Sequence, residues 1–254
     1  MLRALCPLPM VIRHYKNKIK RTSKMVYYEL YGLPGAGKST LANIIISELR
    51  AKGYKVGNLH DVYYRCPNAK QKHPLRREML FHINEFKLFF WCWKAYKNSK
   101  NPNRAFYNKL LILTHQLLMV AEENNYDIVI LEEGAIQYIS SLRYLEDFSD
   151  DKDYERISHY LNKRLIIYPV FCNIDIAESM SRVRNRGYGS KRFTYSVGCE
   201  KFKKAMIYKE KNLRKISSTF TPPIEINMNA PVADNARLLV TEILSRSLDE
   251  RNKA

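Results

Sequence analysis

Apolar residues along the chain fall either in short saturated runs or at intervals of three and four, and these two patterns predict different elements. Met25 to Tyr31 (MVYYELY) is β-branched and aromatic enough to be a buried strand. After it, Leu41, Ile44, Ile45 and Leu49 line one face of a helix that Lys52-Gly53 closes. Tyr54 to Leu59 predicts a second strand, and two long helical patterns follow. The first carries Ile83, Phe86, Phe90 and Trp93 with Phe89 beside them, an aromatic stripe expected to face the core. The second, Asn103 to Asn124, carries Phe106, Leu110, Leu113, Leu117 and Val120. Asp127 to Leu131 and Leu165 to Ile174 predict strands three and four, with Pro169 signalling a bulge or a late start in the latter. Asp175 to Arg186 and roughly 199–216 read as helices, Ile224 to Met228 as a fifth strand. The last helix starts near Asp234 and places Ala236, Leu239, Val240, Ile243 and Leu244 on one side. Strands that alternate with helices predict a parallel sheet covered on both faces, a three-layer α/β domain spanning 25–254.

Between the first strand and the first helix stands Gly32-Leu33-Pro34-Gly35-Ala36-Gly37-Lys38-Ser39-Thr40, of the form G-x-x-x-x-G-K-[ST]. The glycines let the backbone curl so that its amides point inward, and the helix N-terminus adds positive potential. A phosphate chain is the ligand such a loop takes. Lys38 is placed to reach the β- and γ-phosphates, and the Ser39 hydroxyl to ligate Mg²⁺. The expectation is a nucleoside triphosphate site of the P-loop NTPase kind.

In an open parallel sheet, ligands sit at the carboxyl ends of the strands, so residues just past each strand are the candidates. Asp61, after strand two, is the candidate base for an acceptor hydroxyl. Glu132 ends strand three, where a carboxylate holds the Mg²⁺ shell. Glu133 beside it points elsewhere. Arg182 and Arg186, four apart on the helix after strand four, share a face that suits a phosphate chain. Arg192 lies beyond Gly187 and Gly189, and these glycines predict a short lid over about 186–194. Strand five leads to Asn229-Ala230-Pro231.

Charge and cysteine usage narrow the setting. Lysines and arginines number 43 against 25 acids, a net charge of +18. Residues 1–28 contribute +7 with no acid, leaving +11 on the rest. Residues 1–24 read as a disordered, dispensable basic arm, with an organelle-targeting segment or an over-extended start before a true Met25 as the alternatives. The basic body suits a triphosphate site and keeps a polyanionic, nucleic-acid acceptor in view as a second reading. Five scattered cysteines without a C-x-x-C pair suit free thiols in a reducing cytosol. The longest apolar run, Leu110 to Ala121, is interrupted and too short to span a bilayer. Homodimer formation is left open.

These residues resemble the nucleoside and nucleotide kinase superfamily of P-loop phosphotransferases, with thymidylate-kinase-like and uridine-kinase-like features, over about Val26 to Leu248. The resemblance rests on GLPGAGKST, on HDVYY with Asp61, on Glu132 after strand three, on IAESMSRVRNRG with Arg182 and Arg186, and on NAPVADNARLLVTEI. It implies ATP and Mg²⁺ as cofactors, a mobile arginine lid reaching Arg192, and Ala230 and Pro231 near the adenine. The third strand departs from the family, ending in Glu-Glu-Gly rather than Asp-Arg-Tyr or Glu-Arg-Ser, so the acceptor is not implied. The expectation is an ATP-dependent kinase of a small-molecule hydroxyl or phosphate. The rivals are a kinase of nucleic-acid ends, a non-catalytic ATP-binding regulator, and a partner-coupled hydrolase.

Overall fold

A computed structural model describes residues 25–64, 86–100, 104–123, 126–142, 146–147, 152–185 and 200–252. The basic arm at 1–24, Arg186, Arg192 and the lid at 186–194 lie outside the described residues. In chain order the elements are β1 (Val26–Gly32), α1 (Lys38–Ala51), β2 (Val56–Asn58), α2 (Leu59–Tyr64), α3 (Phe86–Lys97) and α4 (Arg104–Glu123). Then come β3 (Ile128–Leu131), α5 (Ala135–Ile139), α6 (Lys152–Asn162), β4 (Ile166–Asn173), α7 (Ile176–Asn185), α8 (Glu200–Ser217), β5 (Ile224–Asn227) and α9 (Val232–Asn252). The five strands form one sheet in the order β2-β3-β1-β4-β5. Every neighbouring pair is parallel. This is the three-layer α/β architecture expected from the alternating pattern.

β1 lies at the centre, and all seven of its residues are buried. Tyr27 and Tyr31 join the core on one face with α3, α4, α5 and α6. Val26, Tyr28 and Leu30 join the opposite core, built with α1, α7 and α9. The period of two along the strand thus divides one apolar run between two cores. Two tyrosines also reach past the sheet: Tyr27 donates its hydroxyl to the Leu117 carbonyl of α4 at 2.7 Å, and Tyr28 to the Ile243 carbonyl of α9 at 3.4 Å. Each large ring therefore fills space without stranding its polar end.

Pro169 neither delays β4 nor bulges it, for the register to β1 runs unbroken from Ile166 to Cys172. The reason lies in which way its nitrogen points. Ile167 turns its carbonyl outward, away from β1, to accept the Thr221 hydroxyl at 3.1 Å. Pro169, two residues on, turns its backbone the same way. Pairing with β5 begins only at Val170. On that flank β4 is still an edge, where a missing donor costs nothing.

Two further expectations are corrected. β2 stops at Asn58, and Leu59, read as strand, opens a helix. Asn58 Oδ1 accepts the Asp61 amide at 2.8 Å while Asp61 Oδ2 accepts the Asn58 amide at 3.3 Å, a reciprocal cap that starts the helix. The aromatic stripe of α3 is the outer face. Phe86, Phe90 and Trp93 are 63%, 44% and 43% exposed, whereas Leu88, Cys92 and Ala95 are buried. Phe89 is half-buried against the core. Both sets repeat at i, i+4, i+7, so periodicity alone does not choose between them. The smaller set lets α3 pack close to its neighbours. Outside, Phe86 stacks on Phe90 and Trp93 tilts against it, each pair at 6.4 Å between centroids. Among the described residues no helix is long and apolar enough to cross a membrane.

The two faces of α3 should separate in denaturant unfolding. Leu88→Ala is expected to cost roughly 2–5 kcal/mol. Phe90→Ala should change stability by about 0.5 kcal/mol or less. Equal losses would place the aromatic face in the core.

Candidate active site

The strand order dictates where the sheet opens. The chain leaves β1 toward the face that holds α1 and leaves the adjacent β3 toward the face that holds α5. The two departures diverge and leave a crevice between them at the carboxyl ends. The glycine-rich loop forms one wall of that crevice, and the turn at 132–134 with α5 forms the other.

In the loop, Gly35 and Gly37 take φ of 81° and 84°, a left-handed backbone that other residues adopt only with strain. Gly37 is the N-cap of α1 and no side chain caps the helix, so its first-turn amides turn toward the loop. Lys38 folds back across the loop and donates to the carbonyls of Gly32 at 3.2 Å and Leu33 at 3.0 Å. Leu33 and Ala36 anchor the loop in the core, while Ser39 and Thr40 are exposed.

α7 clamps the loop from the side. Ser179 donates to the Pro34 carbonyl at 2.6 Å. Gly35 lies so near α7 that a side chain there would stand 3.0 Å from the Ser179 carbonyl oxygen. Arg182 is held by Glu178 at 2.7 Å and reaches the Met228 carbonyl at 3.5 Å, while the Met228 side chain lies against Gly37. Asn229 donates to Asp175 at 3.5 Å, which ties the loop carrying Ala230 and Pro231 to the start of α7. The structure thus gathers Gly32 to Thr40, Arg182 and the 229–231 loop at one end of the sheet. Ala230 is half-buried there and Pro231 exposed.

On the opposite wall, Glu132 and Glu133 are half-buried in the turn after β3, and Glu133 accepts the Tyr138 hydroxyl at 3.5 Å. Asp61 is elsewhere. β2 is the sheet edge, beyond β3, and its last residue pairs with Ile130, which in turn pairs with Tyr28, four residues short of Gly32. The Asp61 carboxylate closes the cap described above and accepts from Arg50 at 3.2 Å.

Three residues that the sequence pattern did not single out occupy the crevice floor. Glu29, in the middle of β1, is completely buried and accepts the amides of Ile136 at 3.1 Å and Gln137 at 2.9 Å. A side chain on Gly134 would stand 2.4 Å from the Glu29 carboxyl carbon, so only glycine lets that turn approach. Burial pushes the Glu29 carboxyl up to about 7, against the pull of the amides at 134–137. Gln137 accepts the Gly32 amide through its side chain at 3.4 Å. Lys209, on α8, donates to Ser140 at 2.5 Å, to Ser141 at 2.6 Å and to the Gln137 carbonyl at 3.4 Å. A lone carboxylate in an apolar run was the available signal for Glu29, since such a group demands partners inside. Lys209, amid a lysine-rich helix, carried none.

Neither a protein-family model nor a characterised protein sequence matches the chain. Among solved structures, deoxyadenosine kinase from M. mycoides with the products dCMP and a flexible dCDP bound superposes with a TM-score of 0.46. It shares 16% identity over 87% of this chain and 100% of its own. The same enzyme with dATP bound gives 0.46 at 14% identity, over 86% and 99%. The crystal structure of APE1195 gives 0.41 at 16% identity, over 90% and 99%. Superpositions this loose decide nothing about the site, and the fold stands on the strand order above.

Glu29 should leave a mark on stability against pH. Its folded-state pKa is raised from 4.5, so the protein binds more protons folded than unfolded between 4.5 and about 7. Stability contributed by the protonated form is therefore whole below 4.5 and is lost as pH rises through about 7, by up to about 3 kcal/mol. Glu29→Gln should remove that pH dependence in denaturant titrations, whatever its constant offset. An unchanged slope would show that the carboxylate stays charged in place.

Proposed function

We propose that the chain is an ATP- and Mg²⁺-dependent phosphotransferase that moves the γ-phosphoryl to a hydroxyl or phosphate of a small molecule. The observation that carries this is the loop: curled at Gly35 and Gly37, uncapped at the start of α1, crossed by Lys38 and flanked by Arg182. Backbone amides, an ammonium and a guanidinium at one concave end of a sheet make a site for a polyanion. In that role Lys38 exchanges its loop carbonyls for phosphate oxygens, and Arg182 neutralises charge that develops during transfer. Ala230 and Pro231 border the same end and are assigned to the base of the nucleotide.

Mg²⁺ fits the donors at hand. Among the described residues no group of three or more His, Cys, Asp or Glu forms a ready cage. A hard ion that keeps most of its water needs less: the Ser39 hydroxyl, phosphate oxygens and one carboxylate from the turn at 132–133. Glu132 is that carboxylate in this proposal. When bound, the ion screens the phosphate charge and orients the chain of phosphates.

Asp61 is given a structural part rather than the base's, on the strength of its cap to Asn58 and its ion pair with Arg50. The acceptor is assigned to the crevice beside Glu133 and α5, where polar groups converge.

Lys38→Ala, confirmed as folded by its unfolding curve, should abolish transfer from labelled ATP in a screen of nucleosides, nucleoside monophosphates, sugars and oligonucleotides. Full activity would sink the proposal, and ATP binding without transfer to any acceptor in the wild type would favour a regulator. Asp61→Asn should lower stability by about 1 kcal/mol while keeping kcat within a few-fold. A 100-fold or greater loss of kcat at unchanged stability would return the base's role to it.

A further inference from the structure

Lys209 is the one lysine among the described residues that is carried into the core, at 8% exposure. It stands where α8 passes from one core to the other: Phe202 and Met206 before it pack with α1, and Leu213 and Ile216 after it pack with α5 and α6. Its three acceptors are all neutral. Ser140 and Ser141 donate their own protons to the Gln137 carbonyl at 2.8 and 2.7 Å, and so turn oxygen lone pairs toward the amine. Among the described residues no carboxylate forms an ion pair with its nitrogen. The charged groups that face it are Lys38 from α1, Glu133 from the turn after β3, and Glu29 from β1. On its own helix, Lys211, Arg214 and Lys215 are paired outward with Asp147, Glu210, Glu225 and Glu155. Burial, with Lys38 adding to it, brings the Lys209 amine down to about 7.

A dehydrated ammonium with no carboxylate in contact is stabilised by any negative charge that arrives nearby. The place where negative charge would arrive is the loop, and a chain of contacts leads there. Lys209 holds the Gln137 carbonyl, and the Gln137 side chain holds the Gly32 amide at the head of the loop.

We propose that Lys209 is a proton-coupled positioning residue, such that binding of a polyphosphate on Gly32 to Thr40 is accompanied by uptake of one solvent proton at Lys209 Nζ. The balance is simple: the amine and a proton from the buffer give the ammonium, and no bond to the ligand forms. The charged form then grips Ser140, Ser141 and Gln137 more strongly, so α8 and α5 are locked to the loop only when the loop is loaded. The inference rests on the reading of the loop as a triphosphate site.

Calorimetric titration of the full chain with Mg-ATP at about pH 8, in two buffers of different ionisation enthalpy, counts the protons. Near that pH the amine is mostly neutral and the nucleotide fully ionised. The wild type should take up most of one proton per nucleotide. Lys209→Met should bind ATP with almost none, and Ser140→Ala/Ser141→Ala, which leaves the lysine but removes two acceptors, should move the uptake to lower pH. Should Lys209→Met fail to fold, the serine pair decides. Equal uptake in the wild type and the variants, or wild-type binding without uptake, would overturn the coupling alone. No ATP binding by the wild type would overturn the triphosphate reading and the coupling with it.

Discussion

A single carboxylate in the middle of the central strand organises the crevice. Glu29 is buried where water cannot reach it, so its oxygens require donors from the protein. Donors come from the amides that open α5, and they come close enough only because residue 134 is glycine. That contact draws the turn after β3 down onto β1. Gln137 is thereby placed to accept the Gly32 amide, so the head of the glycine-rich loop is tied to α5 as well as to its own helix, through Lys38.

The other restraints act on the same loop from different sides. α7 holds Pro34 through Ser179 and packs against Gly35. Arg182 and Met228 join α7 to the end of β5. α8 reaches the floor through Lys209. A loop whose amides must point inward gains little internal bonding, so its shape has to be imposed by neighbours. Preorganisation of that kind is what an electrostatic site needs, because donors that must reorganise on binding lose much of their effect.

Much of this was legible along the chain. The five strands, the two-sided covering and the loop at 32–40 follow from apolar runs, helical spacing and the G-x-x-x-x-G-K-[ST] pattern. Three places share one property: their local pattern admits two solutions. Asp61 is acidic and follows a strand, which suits a site residue, but Asn58 three residues earlier makes it equally the second half of a helix cap. α3 offers two apolar stripes, and only the approach of neighbouring helices selects the small one for burial. Pro169 looks disruptive until the late start of β5 is known.

Sequence alone determined the layered α/β architecture and the place of the glycine-rich loop in it, since both depend on short-range spacing: glycines within a loop, and apolar periods of two or of three to four. The tertiary structure decided which residues share the crevice. Glu29, Gln137 and Lys209 lie more than 70 residues apart from one another along the chain and meet because β3 pairs beside β1 and α8 crosses between the two cores. Burial of charge, the cost that makes those meetings necessary, is a property of the folded environment and leaves no period in the sequence.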